Sequence, residues 1–439
     1  METANFLSKK GAKLTITDNK DGESLRQSIK KLKGGNIKFI LGEHRKKDFK
    51  NNDIIVFNSA ISIFSPWVKL AKKYKKTIEN DLTLFLKNKD PKTEFIAITG
   101  TRGKTTTVFW INHFLSGSIL GGNIPEKGLL KIVNKNTKMF VLELSSFQLE
   151  YMKKGLPPPR VAVITNLYND HLNRYDTFKN YLNIKSKIFL NQTKDDFLVL
   201  NANGKYTKDF LSRKPKSKIY YFSLKNLSKD KNGLFFNGPK IYFQENRKNK
   251  IVYKISGLPE HQKSNLLTSL LGAYLYRQNW NELIKKIKTL PSVPFRQEIV
   301  FENKNLKIIN DTVATSPDGT IAALEKFKKF KDKLILIAGG TDKNLEFQEL
   351  ASKIKKYIKK ENLYLLDGSA TRKLIQEMKE KKMKVFNNLK EILLNINQRN
   401  PKAIVLFSPA SASFEKFKNE FDRGKKFNKL VKSIFKNGK

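Results

Sequence analysis

The sequence predicts a mostly parallel α/β fold divided into three domains. Short apolar runs alternate with helical segments along the chain, a pattern that indicates a sheet with helices on both faces. A glycine-rich loop at residues 100–106 follows one apolar run and precedes a helix, as a phosphate-binding loop requires. The 439 residues are more than one hydrophobic core usually holds. We predict an N-terminal Rossmann-like domain over residues 1–91, a central P-loop-like ATPase domain over 92–293 and a C-terminal Rossmann-like domain over 294–439.

The chain is strongly basic, with 86 Lys and Arg residues against 40 Asp and Glu and a formal net charge of +46. Only 12 of the basic residues are arginines, and the lysines are spread along every segment. This distribution is more typical of a solvated surface than of a nucleic-acid groove, so we expect no nucleic-acid partner. The excess charge should still help to gather anionic substrates.

Two features that the sequence lacks limit the class of protein. The chain has no cysteine, which excludes disulfides, thiolate metal sites and a cysteine nucleophile. No run of about 18 apolar residues and no signal peptide is recognisable. We therefore predict no membrane span and expect a cytoplasmic location.

The first 91 residues resemble a dinucleotide-binding unit that lacks its beginning. The apolar pattern predicts a helix over residues 3–10, a strand that ends at Asp18 and a further strand over residues 53–57. Such a unit opens with a strand and a glycine-rich turn, whereas this sequence starts within the helix that should follow them. We expect the natural chain to begin roughly fifteen residues upstream, the length of a strand and its turn.

The loop at residues 100–106 has the residue types that nucleotide phosphates require. Glycines let backbone N–H groups approach phosphate oxygens, Lys104 can meet the β- and γ-phosphate charge, and the Thr105 hydroxyl can join the Mg²⁺ shell. A strand is predicted over residues 95–99 and a helix over 105–115. Ile98 occupies the position of the first glycine in the standard Walker pattern, so Gly100 must make the turn. A plain strand-to-helix connection is the alternative interpretation.

A second motif, Leu-Glu-Leu-Ser-Ser-Phe-Gln-Leu-Glu at residues 142–150, follows the loop by some forty residues. Its first carboxylate, Glu143, could hold the metal that accompanies the nucleotide. A helix is predicted after Ser145, and three prolines at residues 157–159 are expected to stop it before a strand over residues 161–165.

The C-terminal segment repeats the order strand, loop, helix three times. Strands are predicted over residues 333–338, 363–366 and 403–407, each followed by a loop that contains glycine or proline. Ligands on sheets of this kind usually bind at the carboxyl ends of the strands. The loops after these three strands are therefore the predicted binding region of the segment.

Together these motifs resemble those of the Mur ligases over nearly the whole chain. Residues 100–106 resemble the family's ATP loop, which folylpolyglutamate synthases share, and residues 121–124 its Gly-Gly-Asn-Ile segment. Residues 142–150 resemble the much more specific signature of the glutamate-adding members. The metal-binding segment of the family is similar to Asn166, Asp170-His171 and Arg174-Tyr175.

The resemblance implies ATP-dependent ligation of D-glutamate to UDP-N-acetylmuramoyl-L-alanine in peptidoglycan precursor synthesis. ATP would phosphorylate the substrate carboxylate, and the amine of glutamate would displace phosphate from the acyl phosphate. The resemblance further implies two Mg²⁺ ions, a CO2-derived carbamate on Lys185 and a monomer. Two alternatives stay open: a related ligase that adds another amino acid or L-glutamate, including to a folate, and a non-catalytic nucleotide-binding descendant.

Roles for individual residues also follow from the resemblance. The implied catalytic and metal-binding residues are Lys104, Thr105, Glu143, His171 and Lys185. The residues implied to bind ATP are Gly100, Thr101, Arg102, Gly103, Lys104, Thr105, Thr106, Asn265, Arg296 and Asp311. The UDP-linked substrate would contact Asp18, Asn123, Ser145 and Gln148, and glutamate would contact Thr315, Lys343 and Ser413. For Asn123, Ser145 and Gln148 the alternative is hydrogen bonding within their own loops, and for Arg296 and Asp311 it is a surface ion pair.

Three places depart from the family's pattern. Val313 stands where a lysine is usual, and Glu420 stands where an aromatic side chain would face the glutamate. Both changes bear on glutamate affinity and on the preference for the D or L form. Residues 58–61 read Asn-Ser-Ala-Ile in place of Ser-Pro-Gly-Ile.

Overall fold

The computed structural model describes residues 1–32, 36–168, 172–258, 260–380, 383–399 and 401–435. The chain forms two compact units, Met1–Pro291 and Ser292–Lys439, and each is described by itself. Within these described ranges no helix is both long and apolar enough to cross a membrane.

The first unit opens with two small parallel sheets of two strands each. Strand β1 (Leu14–Asp18) pairs with β2 (Ile37–Leu41), and β3 (Ile54–Val56) pairs with β4 (Thr77–Glu79). This order of parallel strands and helices agrees with the predicted Rossmann-like segment, although the four strands lie in two separate pairs. All residues of β1 remain partly exposed. The accompanying helices are α1 (Glu2–Lys9), α2 (Gly22–Ile29), α3 (Lys46–Asn51), α4 (Pro66–Lys73) and α5 (Asp81–Asn88).

The remainder of the first unit is built around a nine-stranded sheet. Its strands are β5 (Glu94–Thr99), β6 (Ile119–Gly122), β7 (Met139–Glu143), β8 (Val161–Ile164), β9 (Phe197–Asn201), β10 (Lys218–Ser223), β11 (Gly233–Asn237), β12 (Lys240–Glu245) and β13 (Lys248–Lys254). They lie in the order β13-β12-β11-β10-β9-β8-β5-β7-β6. All pairs from β11 to β6 are parallel, whereas β12 is antiparallel to both of its neighbours.

Helices cover both faces of this sheet, since successive side chains of a strand point to opposite sides. Ile96 and Ile98 of β5 belong to one apolar cluster, whereas Phe95 and Ala97 belong to another. The first cluster contains residues of the long helices α6 and α12, and the second contains residues of α5 and α10. The helices of this part are α6 (Lys104–Phe114), α7 (Leu129–Ile132), α8 (Ser146–Leu149), α9 (Leu172–Tyr175), α10 (Phe178–Ser186), α11 (Thr207–Leu211), α12 (Glu260–Arg277) and α13 (Trp280–Ile287).

The helix predicted after Ser145 is much shorter than expected. It ends at Leu149, so the prediction that the prolines at residues 157–159 stop it was wrong. A hydrogen bond from Met152 N to Leu149 O tightens the chain directly after the helix, and Gly155 adopts a positive φ of 83°. Local turns therefore end the helix before the prolines can act.

The second unit contains a six-stranded sheet with one antiparallel edge strand. Its strands are β14 (Glu298–Glu302), β15 (Leu306–Asn310), β16 (Leu334–Ala338), β17 (Leu363–Leu366), β18 (Val385–Phe386) and β19 (Ala403–Phe407). They lie in the order β14-β15-β19-β16-β17-β18, and only β14 is antiparallel. The helices, which cover an apolar cluster on each face, are α14 (Pro317–Phe327), α15 (Gln348–Tyr357), α16 (Ser369–Glu377), α17 (Leu389–Gln398) and α18 (Glu420–Ile434).

The predicted fold class is confirmed, because both units have largely parallel sheets covered by helices. The three predicted strands of the C-terminal segment correspond to β16, β17 and β19 within one residue. The predicted domain boundaries stay a prediction. The compact first unit includes residues on both sides of the boundary proposed after residue 91.

Candidate active site

The phosphate loop connects β5 to α6 and requires glycine at two positions. Gly100 has φ of +144°, and a Cβ atom there would lie 2.0 Å from Thr165 Oγ1. Gly103 has φ of +80°, and its Cβ would lie 2.5 Å from Oδ1 of Asn265, a residue of α12. Both backbone conformation and close packing therefore disfavour a larger residue at either position. The predicted contact residue Asn265 lies directly against the loop.

Residues that follow β8 form hydrogen bonds with the same loop. Thr165 Oγ1 donates to Arg102 O at 2.7 Å, and Asn166 O accepts from Thr101 N at 3.0 Å. The Asn166 side chain accepts from Arg102 N at 2.9 Å and donates to Arg102 O at 3.0 Å. Asn166 was predicted to belong to the metal-binding segment, whereas no role was predicted for Thr165. Its only signal in the sequence is a polar residue that directly follows a buried strand.

Lys104, Thr105 and Thr106 form the first turn of α6, where backbone N–H groups have no acceptor within the helix. The Lys104 amine donates to the backbone oxygens of Gly100 and Thr101, both at 3.0 Å. The Arg102 guanidinium lies 5.3 Å from the centre of the Tyr168 ring. The helix terminus and the lysine thus concentrate positive potential at the loop, which suits a phosphate.

Glu143 ends β7 at the same edge of the sheet as the phosphate loop, because it pairs with Ile98 in the β5–β7 ladder. Its side chain is buried, and Oε1 accepts from Asn123 Nδ2 at 3.2 Å. Within the described part of the chain, Oε2 is buried without a hydrogen-bond partner. A buried carboxylate oxygen with free lone pairs is what a hard cation such as Mg²⁺ binds.

Lys185 lies on α10 with its side chain buried, and its amine reaches the phosphate loop. Nζ donates to Gly100 O and to Thr99 Oγ1, both at 3.0 Å. It also lies 5.4 Å from the centre of the Tyr181 ring, whose hydroxyl is 3.2 Å from Thr101 Oγ1. Lys187, in contrast, donates to Glu150 O at 2.5 Å. Of these two lysines, only Lys185 contacts the loop.

Ser145 and Gln148 form a capping box at the start of α8. Ser145 Oγ accepts from Gln148 N, and Gln148 Oε1 accepts from Ser145 N at 3.1 Å. Gln148 Nε2 donates to Asp81 Oδ2 at 2.8 Å. Ser145 and Gln148 therefore make the local hydrogen bonds that were left open as the alternative, whereas the Asn123 side chain bonds to Glu143 of β7.

Asp18 has no hydrogen bond to the residues above in the described part of the chain. Asp18 ends β1, and its Oδ1 accepts from Lys20 N at 2.9 Å. His171 falls outside the described residues. Across the ranges that are described, no three Asp, Glu or His side chains come together as a metal-binding group.

In the second unit, Asp311 follows β15 and is buried. Its Oδ2 accepts from Ser408 Oγ at 2.9 Å, and its Oδ1 accepts from Gln297 N at 3.2 Å. Burial raises the pKa of Asp311 to about 7, although these hydrogen bonds and the nearby charge of Arg296 oppose the shift. Arg296 is exposed whereas Asp311 is buried, and the charge of Arg296 acts on Asp311, so a pairing of the two stays open as the alternative.

The three residues predicted to bind glutamate belong to loops at the carboxyl ends of strands in the second unit. Lys343 Nζ lies 3.4 Å from Thr315 Oγ1. Ser413 is buried, and its hydroxyl has no hydrogen-bond partner among the residues described. Ser413 also lines a small pocket together with Gly340, Thr341 and Arg423. A lysine and hydroxyl groups at this edge suit a carboxylate ligand.

Arg423 shapes this region and was missed in the sequence analysis. Its fully buried guanidinium donates to Thr312 Oγ1 and Thr312 O at 2.9 Å, to Ala412 O at 2.9 Å and to Ser411 O at 3.0 Å. Burial lowers the pKa of Arg423 to about 10. Arg423 thus joins the loops that carry Thr315 and Ser413, although nothing in its sequence position indicated such contacts.

Comparisons with known proteins agree with this arrangement. Residues 98–273 match the Mur ligase middle domain, and residues 295–411 match the Mur ligase glutamate ligase domain. A UDP-N-acetylmuramoylalanine–D-glutamate ligase of Borreliella afzelii is 37% identical over 98% of this chain and 94% of its own length. The ligase of the same name from Clostridioides difficile is 32% identical over 99% of this chain and 96% of its own.

Solved structures share the fold at lower identity. The UDP-N-acetylmuramate-alanine ligase of Thermotoga maritima superposes with a TM-score of 0.60 and 17% identity, covering 98% of this chain and 96% of its own. The MurF ligase of the same organism, in complex with ADP, has a TM-score of 0.56 and 17% identity over 95% of both chains.

A glycine-containing loop between a strand and a helix of a parallel sheet, with a buried carboxylate at the same edge, is typical of nucleotide-dependent α/β enzymes. The domain matches and the full-length relatives narrow this class. The chain belongs to the Mur ligase family, which is ATP-dependent. These comparisons do not favour a folate ligase or a non-catalytic nucleotide-binding descendant.

Proposed function

We propose that this chain ligates D-glutamate to UDP-N-acetylmuramoyl-L-alanine with ATP, in peptidoglycan precursor synthesis. The observation that carries the proposal is the convergence of the phosphate loop, the buried Glu143 and the buried Lys185 amine at one edge of the sheet. The near full-length relatives that bear this enzyme name supply the substrates. Since the reaction uses small molecules, we propose no nucleic-acid partner, and we propose a monomer located in the cytoplasm.

ATP would bind at the first turn of α6 with its terminal phosphates over the loop. Lys104 would exchange its two contacts with loop carbonyls for the β- and γ-phosphate oxygens, which carry more negative charge. The substrate carboxylate would then accept the γ-phosphoryl group. This transfer brings two anions together, so the positive charge of Lys104 and of the helix terminus lowers the barrier.

The residues present fit a bound divalent cation. Glu143 Oε2 would be a ligand, because it is buried and has no hydrogen-bond partner within the described residues. Thr105 in the phosphate loop, His171 and a carbamate formed on Lys185 would complete the sets for two Mg²⁺ ions. The position of the Lys185 amine at Gly100 O supports the choice of Lys185 over Lys187. Bound Mg²⁺ would neutralise charge on the phosphate oxygens during transfer.

The remaining predicted residues would hold the other substrates. Asn123, Ser145, Gln148 and Asp18 are proposed for the UDP-linked substrate, and Arg296, Asp311 and Asn265 for ATP. Thr315, Lys343 and Ser413 are proposed to bind the carboxylates of D-glutamate and so place its amine for attack on the acyl phosphate. The unpartnered hydroxyl of Ser413 supports this role. Phosphate would leave from the tetrahedral intermediate as the amide forms.

Phosphate release with ATP, Mg²⁺ and UDP-N-acetylmuramoyl-L-alanine tests the proposal. Release should require D-glutamate and should fall at least about a hundredfold in Lys104→Ala, since a contact to the transferring group is lost. The matched control is Lys138→Ala, which removes an exposed lysine that precedes β7. A requirement for L-glutamate instead would contradict the substrate, and full activity of Lys104→Ala would contradict the site.

A further inference from the structure

Arg174 of α9 joins three segments of the first unit through one side chain. Its Nε and Nη2 donate to the two carboxylate oxygens of Glu150 at 2.6 and 3.0 Å. Nη1 donates to Ala60 O at 2.6 Å, and Nη2 also donates to Ser59 O at 2.9 Å. The guanidinium lies 4.0 Å from the centre of the Phe147 ring. The residue thus binds both the turn at residues 145–150 and the loop at residues 58–63.

Glu150 completes this cluster from the other side. Its side chain is fully buried, and Oε2 accepts a further hydrogen bond from Ile63 N at 3.0 Å. Two charges that are removed from water are stable only when their geometry satisfies them. The planar guanidinium does so with a two-pronged contact to the carboxylate and two contacts to carbonyls, which a lysine amine cannot reproduce.

A second polar link connects the same two segments. Ser59 Oγ donates to Asp81 Oδ1 at 2.7 Å, and Gln148 Nε2 donates to Asp81 Oδ2 at 2.8 Å. Asn80 Nδ2 donates to Gln148 O at 3.0 Å. The loop at residues 58–63 is therefore attached to the beginning of the turn through Asp81 and to its end through Glu150 and Arg174.

The phosphate loop is held by other residues. Thr165 and Asn166 bind Arg102 and Thr101, and neither belongs to the Arg174 cluster. A change at Arg174 should consequently reach the turn with Ser145 and Gln148 before it reaches the nucleotide phosphates.

We propose that Arg174 is a positioning residue that sets the affinity for the UDP-linked substrate by fixing the loop at residues 58–63 against the turn at residues 145–150. This inference rests on the proposed function, because Ser145 and Gln148 are assigned to that substrate. Arg174 acts through Glu150 and the two loop carbonyls, and its contacts within the described residues include none with the loop at residues 100–106. Lysine at this position keeps the charge but loses the two-pronged contact.

Calorimetric binding of UDP-N-acetylmuramoyl-L-alanine and of ADP, each alone, tests the proposal on the full chain. In Arg174→Lys the affinity for the UDP compound should fall about tenfold, while that for ADP stays within about twofold. Glu150→Gln should have a similar effect. The double variant that combines Arg174→Lys and Glu150→Gln should lose little more affinity for the UDP compound than either single variant, because both substitutions remove the same contact.

The matched control is Arg160→Lys. Arg160 also lies against an aromatic ring, Phe197 at 5.2 Å, and donates to a backbone oxygen, Asp195 O at 2.5 Å, but it precedes β8 at the opposite edge of the sheet. In this control variant the affinities for the UDP compound and for ADP should remain within about twofold of those of the unchanged protein. Equal losses for the UDP compound and ADP in Arg174→Lys, or no loss for either, would overturn the proposal.

Amide hydrogen exchange separates this proposal from the proposed function. Residues 58–64 should exchange faster in Arg174→Lys, whereas residues 104–114 of α6 should be unaffected. Should the unchanged protein bind ADP but not the UDP compound, the proposed substrate is wrong and exchange alone decides whether Arg174 fixes the loop. Unaltered exchange at residues 58–64 would then overturn the positioning role.

Discussion

Glu143 and Glu79 are both buried carboxylates, and each has an Oε2 atom without a hydrogen-bond partner in the described part of the chain. They differ in their neighbours. Glu79 Oε1 accepts from Lys87 at 2.5 Å and from Lys153 at 2.9 Å, whereas Glu143 Oε1 accepts from the neutral amide of Asn123. A buried carboxylate whose described hydrogen-bond partner is neutral is costly, and a bound metal ion is the compensation that we propose for Glu143.

Replacing these two glutamates by glutamine should have opposite effects. Glu143→Gln should reduce phosphate release at least about a hundredfold with no loss of stability, since it removes a buried charge and a metal ligand. Glu79→Gln should reduce stability and leave most activity, because Lys87 and Lys153 lose their partner. Phosphate release and urea unfolding of both variants check this. Equal activity losses in the two variants would contradict the assigned metal site.

The raised pKa of Asp311 makes a pH-dependent contribution to stability. Between the unfolded value of about 4 and the folded value of about 7, the folded state binds more protons, so stability falls as pH rises. Asp311→Asn should therefore increase the urea midpoint at about pH 7.5 more than at about pH 5. Far-UV circular dichroism at both pH values measures this, with the exposed Asp332→Asn as control. A larger gain at the lower pH would contradict the sign of the shift.

At the scale of elements, the phosphate loop depends on a residue from a distant helix. Asn265 comes from α12, yet its side chain occupies the space where a Cβ of Gly103 would lie. α6 and α12 pack on the same face of the nine-stranded sheet, which brings the two positions together. The loop is therefore shaped by its neighbours as much as by its own glycines.

Gly103→Ala and Gly117→Ala distinguish backbone strain from crowding. The two glycines have similar φ values, +80° and +84°, but a Cβ at Gly117 meets nothing within 4 Å. Both changes should cost about 1 kcal/mol in folding free energy through strain alone. Only Gly103→Ala should also raise KM for ATP, because Asn265 must move. Steady-state kinetics and urea unfolding measure the two effects, and an equal change of KM in Gly117→Ala would contradict the role of crowding.

At the scale of the molecule, the two units have separate hydrophobic cores. The apolar clusters around β15 to β19 contain only residues after Ser292, and those of the nine-stranded sheet contain only residues before it. Each cluster pair covers both faces of its own sheet. Such an arrangement is typical of segments that can fold alone.

The fragment of residues 292–439 should accordingly fold by itself. Its six-stranded sheet has on each face an apolar cluster made of residues of this fragment. Circular dichroism should show helix and strand content with one cooperative urea transition. A fragment that is soluble but unfolds gradually, without a transition, would contradict this independence.

Much of the fold was predictable, because apolar runs and turn residues act locally. β5, β16, β17 and β19 were predicted within about a residue. The length of α8 was not, since the turns at Leu149 and Gly155 leave no apolar pattern. The contacts of Thr165, Arg174 and Arg423 also escaped prediction, because each joins segments that are far apart in the sequence.

The sequence by itself determined the fold class, the glycine-containing loop between β5 and α6, and the Mur ligase family, since each rests on short motifs and on local periodicity. Only the tertiary structure decided which buried groups have partners. In the described part of the chain, Glu143 Oε2 and Ser413 Oγ have no hydrogen-bond partner. The Lys185 amine lies at the loop of residues 100–106, and Arg174 is paired with Glu150. Burial and hydrogen bonding depend on the packing of distant segments, which no local pattern in the sequence records.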